Sequence, residues 1–206
     1  DFWDGAMPEL EEYTQRWSQA LLSSPFRPQF EHKYGSLMFI NTEISLKTSS
    51  PEIIELLQRE NALSTEYTKL LASAQIPFEG GVYTLSQMTP FKLDADDRRR
   101  RAAWEAEGAF YMENGEKLDA LYDELVRVRD GMARKLHYEN FVTLGYYRMT
   151  RNSYNKQDVE RFRRAVRDCI VPLAEGIYRE RAARMGFAYP LNFADMALEF
   201  KSGNPR

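Results

Sequence analysis

Arginines and tyrosines that could bind a negatively charged ligand are concentrated in one stretch of the chain, KLHYENFVTLGYYRMTRNSY, residues 135–154. Arg148 and Arg151 stand there beside Tyr147 and Tyr154. A guanidinium group held among aromatic rings can bind a carboxylate through two parallel hydrogen bonds. We therefore take these four residues as candidate substrate-binding residues. The alternative is that the arginine stems pack on the rings and that their charged ends pair with acids of neighbouring helices.

The residues that most often bind metals or act as nucleophiles are few and scattered. His32, His137 and Cys169 are far apart in the sequence, and no H-E-x-x-H or C-x-x-C motif occurs. Since a zinc site needs three or four ligands at helix or turn spacing, we expect no metal ligands within this chain. His32 is predicted to lie at the surface. Cys169 falls on the apolar face of a predicted helix, which indicates a buried core residue, and no G-x-S-x-G motif offers a catalytic serine.

Composition restricts the classes of protein to which the chain can belong. Its 206 residues are 43% hydrophobic, which is enough for a real core, and its formal net charge is −3. A slightly acidic chain has no general attraction to nucleic acid or to an anionic membrane surface. No apolar run approaches the ~20 residues of a membrane span. Because a lone cysteine cannot form an internal disulfide, we expect a protein of the reducing cytoplasm.

Apolar residues recur every three or four positions over most of the chain, which predicts helices. Residues 50–52, Ser-Pro-Glu, are typical of a helix start, and a second helix is predicted over Leu118–Leu136. Asn155 and Asp158 resemble a capping pair at the start of a third helix. Its apolar face comprises Val159, Phe162, Val166, Cys169, Ile170, Leu173 and Ile177. Pro172 falls inside this pattern, so we expect a kink there or the end of the helix.

The segment IPFEGGVYTL, residues 76–85, departs from the helical period. Two short apolar runs flank Gly80-Gly81, and a glycine pair is typical of a hairpin turn. Pro77 cannot donate to a sheet ladder, so its strand should lie at an edge or begin there. Two strands alone are only marginally stable, so the hairpin must pack on the helices or on another part of the protein. The predicted fold is all-α, a mostly helical bundle forming a single region over residues 1–206, with one small β-hairpin near residues 76–86.

Four consecutive arginines, residues 98–101, follow the acidic residues Asp94, Asp96 and Asp97. Acids at a helix start complement the helix dipole. Successive residues point around a helix and not along one face. We therefore predict a solvated, salt-bridging face here and not a nucleic-acid site.

Several segments, in order along the chain, resemble the oligoendopeptidase F-like zinc metallopeptidases, relatives of thimet oligopeptidase. They are SSPFR (23–27), ENALSTEYTKLLASAQIPFEG (60–80), YTLSQMTPF (83–91), LYDELVRVRDGMARKL (121–136), ENFVTLGYYRMTRNSY (139–154), FRRAVRDCIVPLA (162–174) and SGNPR (202–206). The resemblance covers essentially the whole chain, and it is specific because many separate segments agree.

Members of that family are mostly helical and enclose a deep channel with a zinc ion at its wall. In them an H-E-x-x-H motif supplies two histidine ligands and a glutamate base, a later glutamate is the third ligand, and zinc activates a water. No position of this chain matches the motif. The resemblance therefore implies a scaffold and channel-wall segment of a zinc metallo-oligoendopeptidase, inactive alone, with two partners: short peptide substrates and the missing catalytic portion of the parent chain.

If that catalytic portion is missing, an exposed apolar surface is expected where it would pack. The alternative function is a non-catalytic helical module that binds peptides or regulates another protein.

His137 departs from the family pattern, which usually has glycine between the residues that correspond to Leu136 and Tyr138. Glycine after a long helix is the common residue in the left-handed conformation that ends it. Histidine is one of the few other residues enriched in that conformation. We therefore predict that His137 has a positive φ and ends the Leu118–Leu136 helix.

Overall fold

The computed structural model describes residues 6–48, 50–202 and 204, except for the side chains of residues 7–9, 11 and 12. Contacts within the chain group its residues into two compact units. The first unit contains the residues up to Tyr67 and Asp119–Val159, and the second contains Thr68–Leu118 and the residues from Glu160 onward. Each unit is therefore built from two separate segments of the sequence.

Helices dominate, as the apolar periodicity predicted. They are α1 (Met7–Leu22), α2 (Arg27–Tyr34), α3 (Leu37–Leu46), α4 (Ile54–Ala72), α5 (Thr89–Lys92), α6 (Asp97–Glu113), α7 (Gly115–Lys135), α8 (Phe141–Arg148), α9 (Lys156–Ala165) and α10 (Val171–Met185). Two short strands, β1 (Ile76–Phe78) and β2 (Gly81–Tyr83), form the predicted hairpin. The fold class is therefore confirmed. Among the described residues no helix combines the length and the apolar character needed to cross a bilayer.

The core of the first unit is formed by apolar side chains of α3, α4, α7 and α8 and of the 3-10 turn Pro51–Ile53. The buried ones are Phe39, Ile44, Ile53, Leu63, Leu121, Val128, Met132, Ala133 and Leu144. Burying a side chain of the larger kinds stabilises the fold by roughly 1.5–3 kcal/mol. Ser50 caps the turn as predicted, because its side chain accepts a hydrogen bond from the Glu52 N–H at 3.3 Å. The turn leads directly into α4.

The end of α7 confirms the prediction for His137. Its φ is +62°. The N–H of His137 donates to the Arg134 carbonyl at 3.0 Å, and the N–H of Tyr138 donates to the Ala133 carbonyl at 2.9 Å. This pair of bonds defines a Schellman motif, in which the residue with positive φ is usually glycine. An exposed histidine therefore occupies the position that favours glycine.

In the second unit the hairpin turn lies one residue earlier than predicted. Phe78 pairs with Gly81, so the two-residue loop is Glu79-Gly80, and Gly81 already belongs to β2. Both loop residues have positive φ, +47° and +79°, as a type I′ turn requires. The prediction of a Gly80-Gly81 turn is wrong because it assumed that only glycine would adopt the first of these conformations. Pro77 lies in β1, and both strands of a two-stranded sheet are edges.

The hairpin packs on helices of its own unit. Ile76 and Phe78 of β1 are buried together with Met88 and Ala103. Phe91 closes this cluster, and its ring centre lies 5.1 Å from that of Phe78. Helical support is what a hairpin of this size needs, since two strands alone are marginal.

The arginines at the start of α6 form the predicted ion pairs, but one of them is buried. Asp96 caps the helix by accepting from the N–H groups of Arg98 and Arg99. Arg100 is only 1% exposed, so the prediction of a fully solvated face is wrong for this residue. Since consecutive helical residues point in different directions, one of four arginines faces inward, where Asp195 pairs with it at 2.8 Å.

Helices α9 and α10 are joined by a π turn, Val166–Ile170, and the chain stays helical throughout. The N–H of Val171 bonds to the carbonyl of Val166, five residues back. The predicted interruption therefore occurs next to Pro172, as a widened turn, but the helix does not end. A π turn here fits the missing N–H of proline and the clash of its ring with the preceding turn.

The apolar face of this long helix is exposed. Phe162, Leu173 and Ile177 expose 69%, 62% and 57% of their surface, and Cys169 on the same face is exposed. The prediction that Cys169 is a buried core residue is therefore wrong. Periodicity identifies which face of a helix is apolar, but it does not show whether other residues cover that face.

Candidate functional site

The end of α8 places Arg151 on one face of this helix. The N–H of Thr150 donates to the Tyr147 carbonyl at 2.8 Å, and the N–H of Arg151 donates to the Tyr146 carbonyl at 3.1 Å. Thr150 has a φ of +52°, which is an outlier for a β-branched residue. This second Schellman motif turns the chain back, so that the guanidinium carbon of Arg151 lies 4.4 Å from the ring centre of Tyr146.

A cavity of about 320 Å³ lies beside this turn in the first unit. It is formed by α8, the loop that follows it and the first turn of α9. The side chains around it are mostly aromatic, polar or basic, with Val142 as an aliphatic one. Its lining includes Thr143, Tyr146, Tyr147, Arg151, Tyr154 and Lys156.

The Arg151 guanidinium contacts two tyrosine rings at the cavity. Its central carbon lies 4.4 Å from the ring centre of Tyr146 and 5.4 Å from that of Tyr154. Within the described part of the chain, no carboxylate forms an ion pair with Arg151. An aromatic ring that contacts a guanidinium does not accept its N–H groups as a carboxylate does, so these contacts leave N–H donors for another acceptor.

The start of α9 forms one wall of the cavity and has the predicted capping pair. The Asn155 side-chain oxygen accepts from the N–H groups of Gln157 at 2.9 Å and Asp158 at 3.1 Å. The Asp158 carboxylate accepts in return from the N–H of Asn155 at 2.8 Å. This reciprocal arrangement is a capping box, which holds the cavity wall in place and occupies two of the first N–H donors of the helix.

Arg148 has a different environment from Arg151. Its Nη2 and Nη1 donate to the Glu60 carboxylate at 2.8 and 3.2 Å, and Nε of Arg129 donates to the same carboxylate at 2.7 Å. Both arginines also lie over the Phe141 ring, with their guanidinium carbons 5.7 and 5.8 Å from its centre. Glu60 is only 4% exposed. The three charged residues, which we call the Glu60 clamp, therefore connect α4, α7 and α8.

The positive charges of Arg148 and Arg129 keep the Glu60 carboxylate ionised. Burial raises the pKa of Glu60, but hydrogen bonds and attraction from Arg148 and Arg129 lower it by more, so that the pKa lies below its usual value. Glu60 is therefore ionised at neutral pH and holds both arginines.

The four candidate substrate-binding residues are thus divided between two environments. Tyr147, Arg151 and Tyr154 line the cavity, whereas Arg148 belongs to the Glu60 clamp. Packing with an ion pair, the alternative weighed for the arginines, describes Arg148. Whether any of the four binds a substrate stays a prediction.

Sequence reasoning missed Glu60 and Tyr146. A signal for Glu60 existed, because it falls seven residues after Ile53 and three after Leu57, on the apolar stripe of α4. A charge on such a stripe indicates a buried acid with a partner. Tyr146 offered no comparable signal, since its contact with Arg151 depends on the positive φ of Thr150.

The described residues do not assemble a metal site. They contain no group of three or more histidine, cysteine, aspartate or glutamate side chains that could hold an ion. His32 is exposed on α2, His137 ends α7 and Cys169 lies on the long α9–α10 helix.

Comparisons with known proteins identify the class to which this fold belongs. A family model described as the peptidase M3 N-terminal domain matches residues 1–49. A search of curated proteins finds no match.

Solved structures match over the entire chain. A protein from Bacillus anthracis strain Ames, assigned as an oligoendopeptidase F, is 44% identical with a TM-score of 0.95. PZ peptidase A, solved with an inhibitor, is 45% identical with a TM-score of 0.95. Another structure assigned as an oligoendopeptidase F is 43% identical with a TM-score of 0.96.

The chain belongs to the oligoendopeptidase F-like family of M3 peptidases. All of its residues are covered by these matches, but it spans only 38% of the Bacillus anthracis protein and 36% of each of the other two. The similarity therefore concerns part of a larger fold.

Proposed function

We propose that this chain is a scaffold and channel-wall segment of a zinc metallo-oligoendopeptidase that hydrolyses short peptides. The observation that carries the proposal is the match of the whole chain to oligoendopeptidase structures at 43–45% identity. Fold similarity alone does not determine function, but identity at this level over every element makes a shared activity the best-supported choice.

The proposed activity needs a zinc ion, which when bound lowers the pKa of a coordinated water and polarises the substrate carbonyl. The described residues do not fit such an ion, because His32, His137 and Cys169 lie on different elements and no cluster of ligands forms. Under this proposal the ligands come from the part of the fold that the chain does not span. This chain would then supply positioning surfaces and no catalytic group.

The exposed apolar face of α9 and α10 supports this division of roles. Phe162, Leu173 and Ile177 belong to the second unit, and each exposes more than half of its surface. Contiguous apolar surface of this kind is unusual on a monomer and marks a contact surface. We place the remainder of the peptidase fold against it, which would also cover Cys169.

The proposal is tested with the purified 206-residue protein and a fluorescence-quenched oligopeptide, with and without added zinc. We expect no zinc-dependent cleavage from this chain alone. Cleavage that depends on zinc and is abolished by a chelator would show that the chain contains a complete site, and would overturn the proposed division of roles.

The cavity at Arg151 favours a second candidate function, a helical module that binds peptides without cutting them. The two candidates differ in what covers the apolar face. Leu173→Lys or Ile177→Lys should weaken assembly with a catalytic portion under the first candidate. Under the second, peptide binding should be unaffected by the same substitution. We also propose a cytoplasmic location, since Cys169 has no second cysteine in this sequence with which to form an internal disulfide, as is typical of proteins in a reducing compartment.

A further inference from the structure

We propose that the cavity beside α8 binds the carboxylate of a peptide, with Arg151 as its charged partner. The choice of a peptide as the carrier of that carboxylate rests on the proposed function. The anion site itself rests on the geometry of the first unit.

The first argument is the contrast between Arg151 and the neighbouring arginines. Arg148 and Arg129 are both engaged by Glu60 at 2.8 and 2.7 Å. Arg151 has aromatic faces in place of an acid, and within the described residues no carboxylate neutralises it. An arginine that is oriented by stacking but not neutralised keeps its fork of N–H donors for a planar anion.

The second argument is the charge around the cavity. Lys156 adds a second cation to the lining, and the first turn of α9 faces the same space. The nearest acid in sequence, Asp158, is occupied as the capping partner of Asn155. The Asn155 side chain already accepts from the N–H groups of Gln157 and Asp158, so we assign the anion chiefly to side chains, above all to Arg151.

The third argument is size and wall chemistry. A cavity of about 320 Å³ is at the lower end of the ~300–1,000 Å³ that small-ligand sites occupy. It is larger than a carboxylate needs, and Val142 and the tyrosine rings supply apolar surface. The space therefore suits a terminal residue with an apolar or aromatic side chain, its carboxylate on Arg151 and its side chain among the rings.

The fourth argument is the backbone at Thr150. A β-branched residue with a φ of +52° is unfavourable, and such conformations persist only where the surrounding structure imposes them. This one lies immediately before Arg151. The Arg151 N–H donates to the Tyr146 carbonyl at 3.1 Å, which fixes the backbone, and the contacts with the Tyr146 and Tyr154 rings orient the guanidinium before any ligand arrives. Preorganised donors bind with a smaller loss of entropy.

The experiment compares N-acetyl-Leu-Phe as the free acid and as the C-terminal amide. Binding to the 206-residue protein is measured by calorimetry and by NMR shifts. We expect the free acid to bind at least tenfold more tightly than the amide. Arg151→Gln should remove that difference, whereas Lys156→Gln should reduce it. The matched control is Arg127→Gln, an exposed arginine whose surface ion pairs are 3.4 and 3.6 Å long. It should bind like the unchanged protein.

One further measurement separates the possible outcomes. Acetate, titrated as a small anion without a side chain, distinguishes a general anion site from a site for a peptide end. Tighter binding of the dipeptide than of acetate supports the peptide. Equal binding of acid and amide, or an unchanged preference in folded Arg151→Gln protein, overturns the proposal, and so does the absence of binding. Because no turnover is measured, these outcomes are independent of the cleavage assay that tests the peptidase.

Discussion

Each unit of the molecule buries one carboxylate between two arginines, but the two arrangements are built in opposite ways. In the first unit Glu60 is buried, and its arginines come from α7 and α8 with part of each side chain in solvent. In the second unit Asp195 is buried, and its arginines are the adjacent residues Arg100 and Arg101 of α6. Here one arginine is buried as well, since Arg100 is 1% exposed.

The difference lies in which charge would be left behind when the pair is broken. Glu60 without its arginines can take up a proton and become neutral. Arg100 cannot lose its proton in a protein, so it needs its acid at every accessible pH. Its other donors are all matched, Nε to the Ala194 carbonyl at 3.0 Å and Nη1 to the Asp94 carbonyl at 3.0 Å. Removing the buried acid should therefore destabilise the second unit more than the first.

The largest expected effect is that of Asp195→Ala. Removing Asp195 leaves the buried Arg100 with only the more exposed Asp97 as an acid partner, and breaking a buried ion pair costs about 3–5 kcal/mol. Unfolding in urea, followed by the fluorescence of Trp104 in the same unit, measures the loss. The control is Asp97→Ala, since Asp97 also pairs with Arg100 at 2.6 Å but is largely exposed. If the control costs as much as Asp195→Ala, the burial of the acid is not what matters.

A smaller effect is expected for Glu60→Gln in the first unit. The amide keeps one acceptor for Arg129 or Arg148, and both arginines can turn toward water, so we expect a loss of about 1–3 kcal/mol. Hydrogen exchange of α4 and α7 amides measures it within the unit. Glu124→Gln is the control, because the ion pairs of this acid with described residues are long, 3.6 Å to Arg59 and 3.4 Å to Arg127. The comparison between units fails if Glu60→Gln costs more than Asp195→Ala.

Lowering the pH should gradually remove the stabilisation that the ionised Glu60 provides. The pKa of Glu60 is lower in the folded protein than the usual value of 4.5, so the unfolded chain binds more protons in this range. The contribution of Glu60 is therefore complete above pH 4.5 and is lost as the pH falls through its folded pKa. Unfolding free energies measured between pH 6 and pH 3 should converge for the unchanged protein and Glu60→Gln. A difference that stays constant down to pH 3 would contradict the assigned ionisation.

The same two units show how far sequence reasoning reaches. Periodicity located α7 and the hairpin because both depend on contacts that are close in sequence. It could not pair Glu60 with Arg148 or Arg100 with Asp195, since those partners are 88 and 95 residues apart. The exposed Cys169 was missed for a related reason, because an apolar stripe does not reveal what covers it. The family resemblance predicted the positive φ of His137, which is a local feature, but it did not predict the cavity at Arg151.

The smallest expected effect again compares the units, through the ends of α7 and α10. Gly186 ends α10 with a φ of +74°, and His137 ends α7 with a φ of +62°. The same two backbone hydrogen bonds close both helix ends. Non-glycine residues pay roughly 1–2 kcal/mol in this conformation, less for histidine. We therefore expect His137→Gly to stabilise the protein by about 0.5–1 kcal/mol in urea unfolding.

Gly186→Ala is the reverse control, since an added Cβ there meets no atom within 4 Å and only the backbone conformation is tested. It should destabilise by about 1 kcal/mol. Loss of stability in His137→Gly would mean that the imidazole makes a contact worth more than the strain, and that this histidine is held for its side chain.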